Sequence, residues 1–285
     1  MWRRDLFVVV STCAICFMSG CAVSPDEDGS EVGDLPGPSL SAQALNANAL
    51  NANALNANAL YPGALTPGML SVSALAPSTL GASAWTYLLD PSGDGTLARQ
   101  LLEYTVSCAF DTTQSFSFTW TDASGVDHAE TYPGLLGLAT TWASQTLDPA
   151  GQGWVSACLV SRVNWYGVHV QLSSRGAHPA LATSGGELAT YTMQEGAFWG
   201  NVFASPPTAY ACDDTPDDSH SRSVYRDCAA GHLDASGNLV SCGIVQRLGS
   251  CDTYCAPLGD GQYHPSCAAT GGHTGTSPVI TVFLQ

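Results

Sequence analysis

Two periods of apolar residues run through the chain beyond residue 90, one helical and one alternating. After the turn chemistry of Asp90-Pro91-Ser92-Gly93-Asp94-Gly95, the residues Leu97, Leu101, Leu102, Thr105, Cys108 and Ala109 recur every three or four positions, the spacing of one helix face. Phe116, Phe118 and Trp120 then alternate with Ser and Thr, and residues 122–125 turn the chain into 126–132, which predicts a β-hairpin. Asp148-Pro149 has the form of a helix opening, a cap followed by proline, with Trp154, Cys158, Ser161 and Trp165 on one face until Gly167. Cys108 and Cys158 both fall on inward helical faces, so a disulfide between these two helices is expected. Val168, Val170 and Leu172 alternate as a strand, further strands are expected within 188–193 and 197–203, and Val279–Leu284 reads as an apolar terminal strand. Helices early and short strands later predict an α+β class, in a single domain over 84–285.

A third period lies upstream. Leucine occupies 35, 40, 45, 50, 55, 60, 65, 70, 75 and 80 without a miss. Five residues rotate a helix by about 140°, which scatters the leucines round the axis, and an odd period in a strand throws them to alternate faces. The segment partly resembles the square β-solenoid of the pentapeptide-repeat proteins, but Asn48 and Ala49 precede Leu50 in the opposite order. Ten pentapeptides would also make only about two and a half coils, and Pro36, Pro38, Pro62, Pro67 and Pro77 each remove a ladder donor. The reading adopted for 35–83 is therefore a low-complexity stalk. With the acidic tether 21–34 before it, a flexible stalk would reach about 40 Å.

The first twenty residues have the order of a secretory signal: Arg3 and Arg4, an apolar run over 6–18 too short to span a bilayer, then small residues. Met18-Ser19-Gly20-Cys21 resembles the lipobox of bacterial lipoproteins. That resemblance implies acylation of Cys21, a membrane partner reached through a lipid anchor, and, with Ala22 following the cysteine, the outer membrane as destination.

Export changes the reading of the cysteines. Cys13 and Cys16 would leave with the signal and Cys21 would carry lipid, so Cys108, Cys158, Cys212, Cys228, Cys242, Cys251, Cys255 and Cys267 remain, an even set expected to form four disulfides. Cys251-x3-Cys255 with His264-x2-Cys267 has the spacing of a zinc site. Parity speaks for disulfides instead, because three cysteines on zinc would leave an odd one unpaired.

Charge is one-sided, with 24 acidic residues against eight arginines and no lysine. Such a field repels phosphate backbones, so no nucleic-acid partner is expected. Asp213, Asp214, Asp217 and Asp218, followed by His220, Arg222 and Arg226, offer hard oxygens to Ca²⁺, but their spacing matches no complete calcium loop. Asp90, Ser92, Asp94 and Gly95 start like an EF-hand whose twelfth position is Leu101 instead of a glutamate. No metal and no cofactor is expected. Neither Gly-x-Ser-x-Gly nor His-Glu-x-x-His occurs, and no glycine-rich phosphate loop follows a strand.

Aromatics suggest a binding surface. Trp120, Trp142, Trp154, Trp165 and Trp199 can supply stacking faces for sugars; Trp154 and Trp165 read as core, and Trp199, between Gly196 and Gly200, as the exposed one. As a whole the chain resembles a group of predicted myxobacterial lipoproteins that combine a lipobox, a Leu-Asn-x-Asn-Ala stalk and a cysteine-rich C-terminal domain with stretches like 218–228. The resemblance implies address and architecture but no activity. The expectation is a binding module for an envelope protein or polysaccharide, with a cell-envelope hydrolase as the alternative.

Overall fold

The computed structural model describes residues 70–164, 170–214, 232–240, 242–260, 262–272 and 278–285. The signal, Cys21, the tether, the stalk to residue 69, Trp165, Asp217, Asp218, His220 and Cys228 lie outside the described residues. All described residues belong to the unit Leu45–Gln285, and its class is α+β.

Helix α1 (Ala82–Leu88) and helix α2 (Gly93–Ala109) meet at a corner closed by Asp90, whose carboxylate accepts hydrogen bonds from the Ser92 amide and hydroxyl. Arg99 of α2 braces the same corner by donating to the carbonyls of Leu88 and Asp90 at 2.9 and 2.8 Å. The expected helix thus begins one turn early, because the Asx turn at Asp90 aims the chain straight into it. Strand β1 (Ser115–Thr121) pairs antiparallel with β2 (Asp127–Pro133), in register from Ser115 opposite Pro133 to Thr121 opposite Asp127. Phe116, Phe118 and Tyr132 point into the core while Ser117, Thr119 and Thr131 face outward, as the period of two requires.

Helix α3 (Pro149–Arg162) is capped by Asp148, whose carboxylate accepts from the Gly151 amide at 2.7 Å. It ends at Arg162, five residues before the expected stop. The Cys108–Cys158 disulfide joins α2 to α3 as the two inward faces predicted.

The second half forms a five-stranded sheet of β3 (Ser173–Arg175), β4 (Met193–Asn201), β5 (Thr208–Asp213), β8 (Gln246–Ser250) and β9 (Val279–Leu284), in the order β3-β9-β4-β5-β8. Every pairing is antiparallel except β5 with β8. A small ribbon of β6 (His232–Leu233) and β7 (Leu239–Val240) stands apart. The strand expected within 188–193 is instead helix α4 (Gly185–Thr190), capped by Ser184, with β4 starting only at Met193. The capping hydroxyl, which accepts from the Glu187 amide three residues on, outweighs the weak alternation that suggested a strand.

The sheet has two different covers. Phe198, Ala209, Ala211, Ile280, Val282 and Leu284 face α3 and join one large core with Val155, Leu159 and Val160. Ala197, Trp199, Cys212 and Val279 face the other way, under Cys251, Cys255 and Cys267. Glycine permits the close approach of β4 to β5: a Cβ at Gly196 would run into the Cys212 carbonyl oxygen, and Gly200 has φ +134°.

The period-five array ends inside this domain. Leu75 is 4 % exposed in the α3-side core, with Leu70, Val72 and Leu80 packed against it. Main-chain bonds fasten it: Leu75 donates to Trp142 O at 2.7 Å, Leu147 donates to Val72 O at 2.8 Å, and the Trp142 indole donates to Ser73 O at 2.6 Å. The expected stalk boundary at 83 therefore falls within packed structure. Among the described residues no helix is long and apolar enough to cross a membrane.

Candidate functional site: four sulfurs beside a buried polar network

Parallel pairing of β5 with β8 assembles the site. It sets Asp213 opposite Ser250, so the residues next to them, Cys212 and Cys251, come together and are joined by a disulfide. Ser250 caps the short helix α5 (Cys251–Tyr254) by accepting from the Asp252 amide, and the chain leaves that turn at Cys255, whose amide donates to Cys251 O at 2.8 Å. Cys255 is bonded in turn to Cys267, and Ala256 N to Ser266 O and Ala268 N to Tyr254 O hold the two segments side by side. The two disulfides touch: Cys212 Sγ and Cys255 Sγ are 3.5 Å apart without being bonded, and the sulfurs of Cys212, Cys251 and Cys255 lie within 4.8 Å of one another, all buried. Cys242 is disulfide-bonded as well.

His264, the fourth member of the sequence-level zinc pattern, is not a ligand here. Its Nδ1 lies 2.6 Å from Ala256 O, to which Nδ1–H donates, and its Nε2 lies 3.0 Å from Gln194 Nε2. The residue that completes the sulfur cluster is Cys212, about forty residues upstream, which local spacing could not reveal.

Beside the cluster, on the same side of the sheet, runs a buried polar network. Arg175, fully buried, donates from Nε to Ser173 Oγ at 2.8 Å, from one η nitrogen to Gln262 Oε1 at 2.7 Å and from the other to Tyr191 O at 2.5 Å. Ser173 in turn donates to Glu187 Oε1 at 2.6 Å, and the guanidinium lies 3.7 Å over the Phe283 ring. Burial lowers the Arg175 pKa to about 10, which leaves it charged at neutral pH and balanced by Glu187. This network closes the sheet edge, and its outer member, Gln262, is exposed to solvent.

The acidic loop is only partly in view. Asp213 is 4 % exposed and forms an ion pair with Arg247 at 2.7 Å, so its carboxylate is already matched. Burial, and after it the neighbouring Asp252 carboxylate, raise the Asp214 pKa above the ordinary value.

The aromatic expectation needs correction. Trp199 is 2 % exposed, because its flanking glycines serve close strand pairing in the middle of the sheet and not a loop. Trp120 is sandwiched between the Arg99 guanidinium at 3.6 Å and the His128 ring at 4.6 Å, while its indole donates to Glu130 at 3.0 Å. Both faces that could stack on a sugar are covered. Trp142 is buried and Trp154 is half-buried against His178.

The histidines in view are tied into the fold. His128 pairs with Asp122 at 3.0 Å on the hairpin turn, His178 Nδ1 accepts from the Ala180 amide at 3.1 Å, and His232 Nδ1 stands 3.5 Å from Cys242 Sγ. No protein-family model, no curated protein and no solved structure matches the chain.

Proposed function

We propose that this chain is an exported lipoprotein, acylated at Cys21 and held at the outer membrane, whose C-terminal domain is a binding module for an envelope protein or polysaccharide. The observation that carries this reading is the disulfide framework. Three bridges, Cys108–Cys158, Cys212–Cys251 and Cys255–Cys267, together with bonded Cys242, belong to a protein that matures in an oxidising compartment. The lipobox resemblance at residues 18–21 then supplies the anchor, and the leucine array, fastened to the domain at Leu75, supplies the spacer.

The surface offered to a ligand is the outward face of the β1–β2 ribbon. Ser117 and Thr131 hydrogen-bond across it at 3.0 Å, Thr121 bonds Asp127 at 2.7 Å, and Ser115 and Thr119 continue the row. Such a hydroxyl-lined face, hydrogen-bonded within itself and backed by Phe116, Phe118 and Tyr132, is pre-organised for polar ligands. Engagement of the described histidines, His128, His178, His232 and His264, in structural contacts favours binding over acid–base catalysis.

Intact-mass analysis of the membrane-extracted protein, before and after reduction and alkylation, tests the address: acyl mass on Cys21 and eight thiols released only by reduction are expected. An unacylated product overturns the anchor. Co-sedimentation with purified envelope polysaccharide and with envelope protein extract tests the module; Thr119→Arg is expected to abolish the binding, and binding unchanged by it overturns the assigned face.

A further inference from the structure

We propose that Cys212, Cys251, Cys255 and Cys267, once reduced, form a four-thiolate site for one soft divalent cation of the Zn²⁺ type, so that two disulfides and one metal ion are alternative staples of the same lobe. The proposal stands on the convergence of the sulfurs and is independent of the hairpin surface; only its cysteine parity rests on the export reading, which sets aside Cys13, Cys16 and Cys21.

Geometry is the first support. Tetrahedral zinc with thiolates at about 2.3 Å spaces its sulfurs about 3.8 Å apart. Cys212 and Cys255, on different disulfides, are already 3.5 Å apart, and the three sulfurs of Cys212, Cys251 and Cys255 fit within 4.8 Å. Cys267 brings the fourth through its bond to Cys255. Each bonded pair needs to open by about 2 Å, within the reach of side-chain rotation.

Parity is the second support. The sequence pattern offered three cysteines and left an odd number; the structure adds Cys212, so four are used and an even number remains. Burial is the third, since each of the four cysteines is at most 1 % exposed, which is where zinc thiolates resist oxidation and exchange.

The same distances disfavour attack of a freed Cys255 thiolate on the Cys212–Cys251 disulfide. In-line attack of a Cys255 thiolate on Cys212 would place Cys255 and Cys251 at opposite ends of a row, and the two segments laid end to end exceed the 4.8 Å that contains all three sulfurs. A Cys255 thiolate freed here is thus positioned to share a cation more readily than to attack Cys212.

The chemistry balances with a water-soluble phosphine as reductant. Each phosphine takes the oxygen of one water, and the two hydrogens of that water end on the two sulfurs of one opened disulfide. Binding Zn²⁺ or Co²⁺ then releases the four thiol protons to solvent, so affinity rises with pH.

The test uses the full chain, reduced with phosphine in denaturant, freed of reductant and refolded anaerobically with Co²⁺. One Co²⁺ per chain is expected, with thiolate-to-metal charge-transfer absorption and the visible bands of tetrahedral coordination, all lost on adding one equivalent of Zn²⁺. X-ray absorption of the zinc form is expected to give four sulfur neighbours and no nitrogen. Cys212→Ser should weaken Co²⁺ binding at least tenfold and Cys108→Ser should leave it unchanged. Absence of the charge-transfer band in the unsubstituted chain, a mixed sulfur and nitrogen shell, or binding unaffected by Cys212→Ser overturns the proposal.

Discussion

The two sides of the central sheet are covered by different physics. On the α3 side, Phe198, Ile280, Val282 and Leu284 interlock with Val155, Leu159 and Val160 in a continuous apolar core, and the Cys108–Cys158 bridge is an addition to packing that already exists. On the opposite side the apolar cluster is small, and its members include Cys212, Cys251, Cys255 and Cys267. There the cover is short loops and one helical turn, which bury too little to repay their ordering, so covalent bonds and the Arg175 network hold them. Neighbouring residues of one strand show the difference: Phe198 points into the first layer and Trp199 into the second.

That contrast is open to direct test. The largest effect is expected from Phe198→Ala, about 3 to 5 kcal/mol from lost burial and the cavity left behind, measured by urea unfolding. It should lower protection from hydrogen exchange across α2, α3 and the sheet together, because the core is shared.

Removing the Cys212–Cys251 bridge by the double change to Ala should cost about 4 kcal/mol by loop-closure entropy, with a different pattern. Exchange protection is expected to fall over 246–272 while α2 and α3 keep theirs. Equal loss on both sides of the sheet would erase the distinction drawn here.

Leu75→Ala should cost about 2 to 3 kcal/mol and expose the 70–80 segment to proteolysis. A substitution without effect on either would mean that the array is not fastened at Leu75.

The smallest effect concerns pH. His178 is half-buried, and burial lowers its pKa below the ordinary value, so the unfolded chain binds this proton more readily than the folded one. Its contribution to stability is therefore present at neutral pH and lost as pH falls below about 6.5. Protonation also removes the Nδ1 lone pair that accepts from Ala180 N. His178→Asn, which keeps an acceptor but cannot titrate, should flatten the stability profile between about pH 7 and pH 5 by less than about 1 kcal/mol, read from thermal unfolding.

Local patterns were legible wherever a cap, a turn or a clean period stood in the sequence. Asp148-Pro149 opened α3, residues 122–125 turned the hairpin, and Val279–Leu284 formed β9. Inward faces alone predicted the bridge between Cys108 and Cys158, because a helical period fixes direction. Trp199 was misread because glycine signals both loops and close strand contact, and only the position of the partner strand separates the two. Strands β5 and β8 and helix α1 left no periodic mark long enough to be read.

By itself, the sequence determined the α+β class, the helix faces, the hairpin and the Cys108–Cys158 pairing, since each depends on periods, caps and turns within reach along the chain. The tertiary structure alone decided that Leu75 belongs to the core, that Trp199 is enclosed, and that Cys212 shares one buried cluster with Cys251, Cys255 and Cys267. These are meetings of residues far apart in sequence, and they are set by the order of strands in the sheet, which no local pattern encodes.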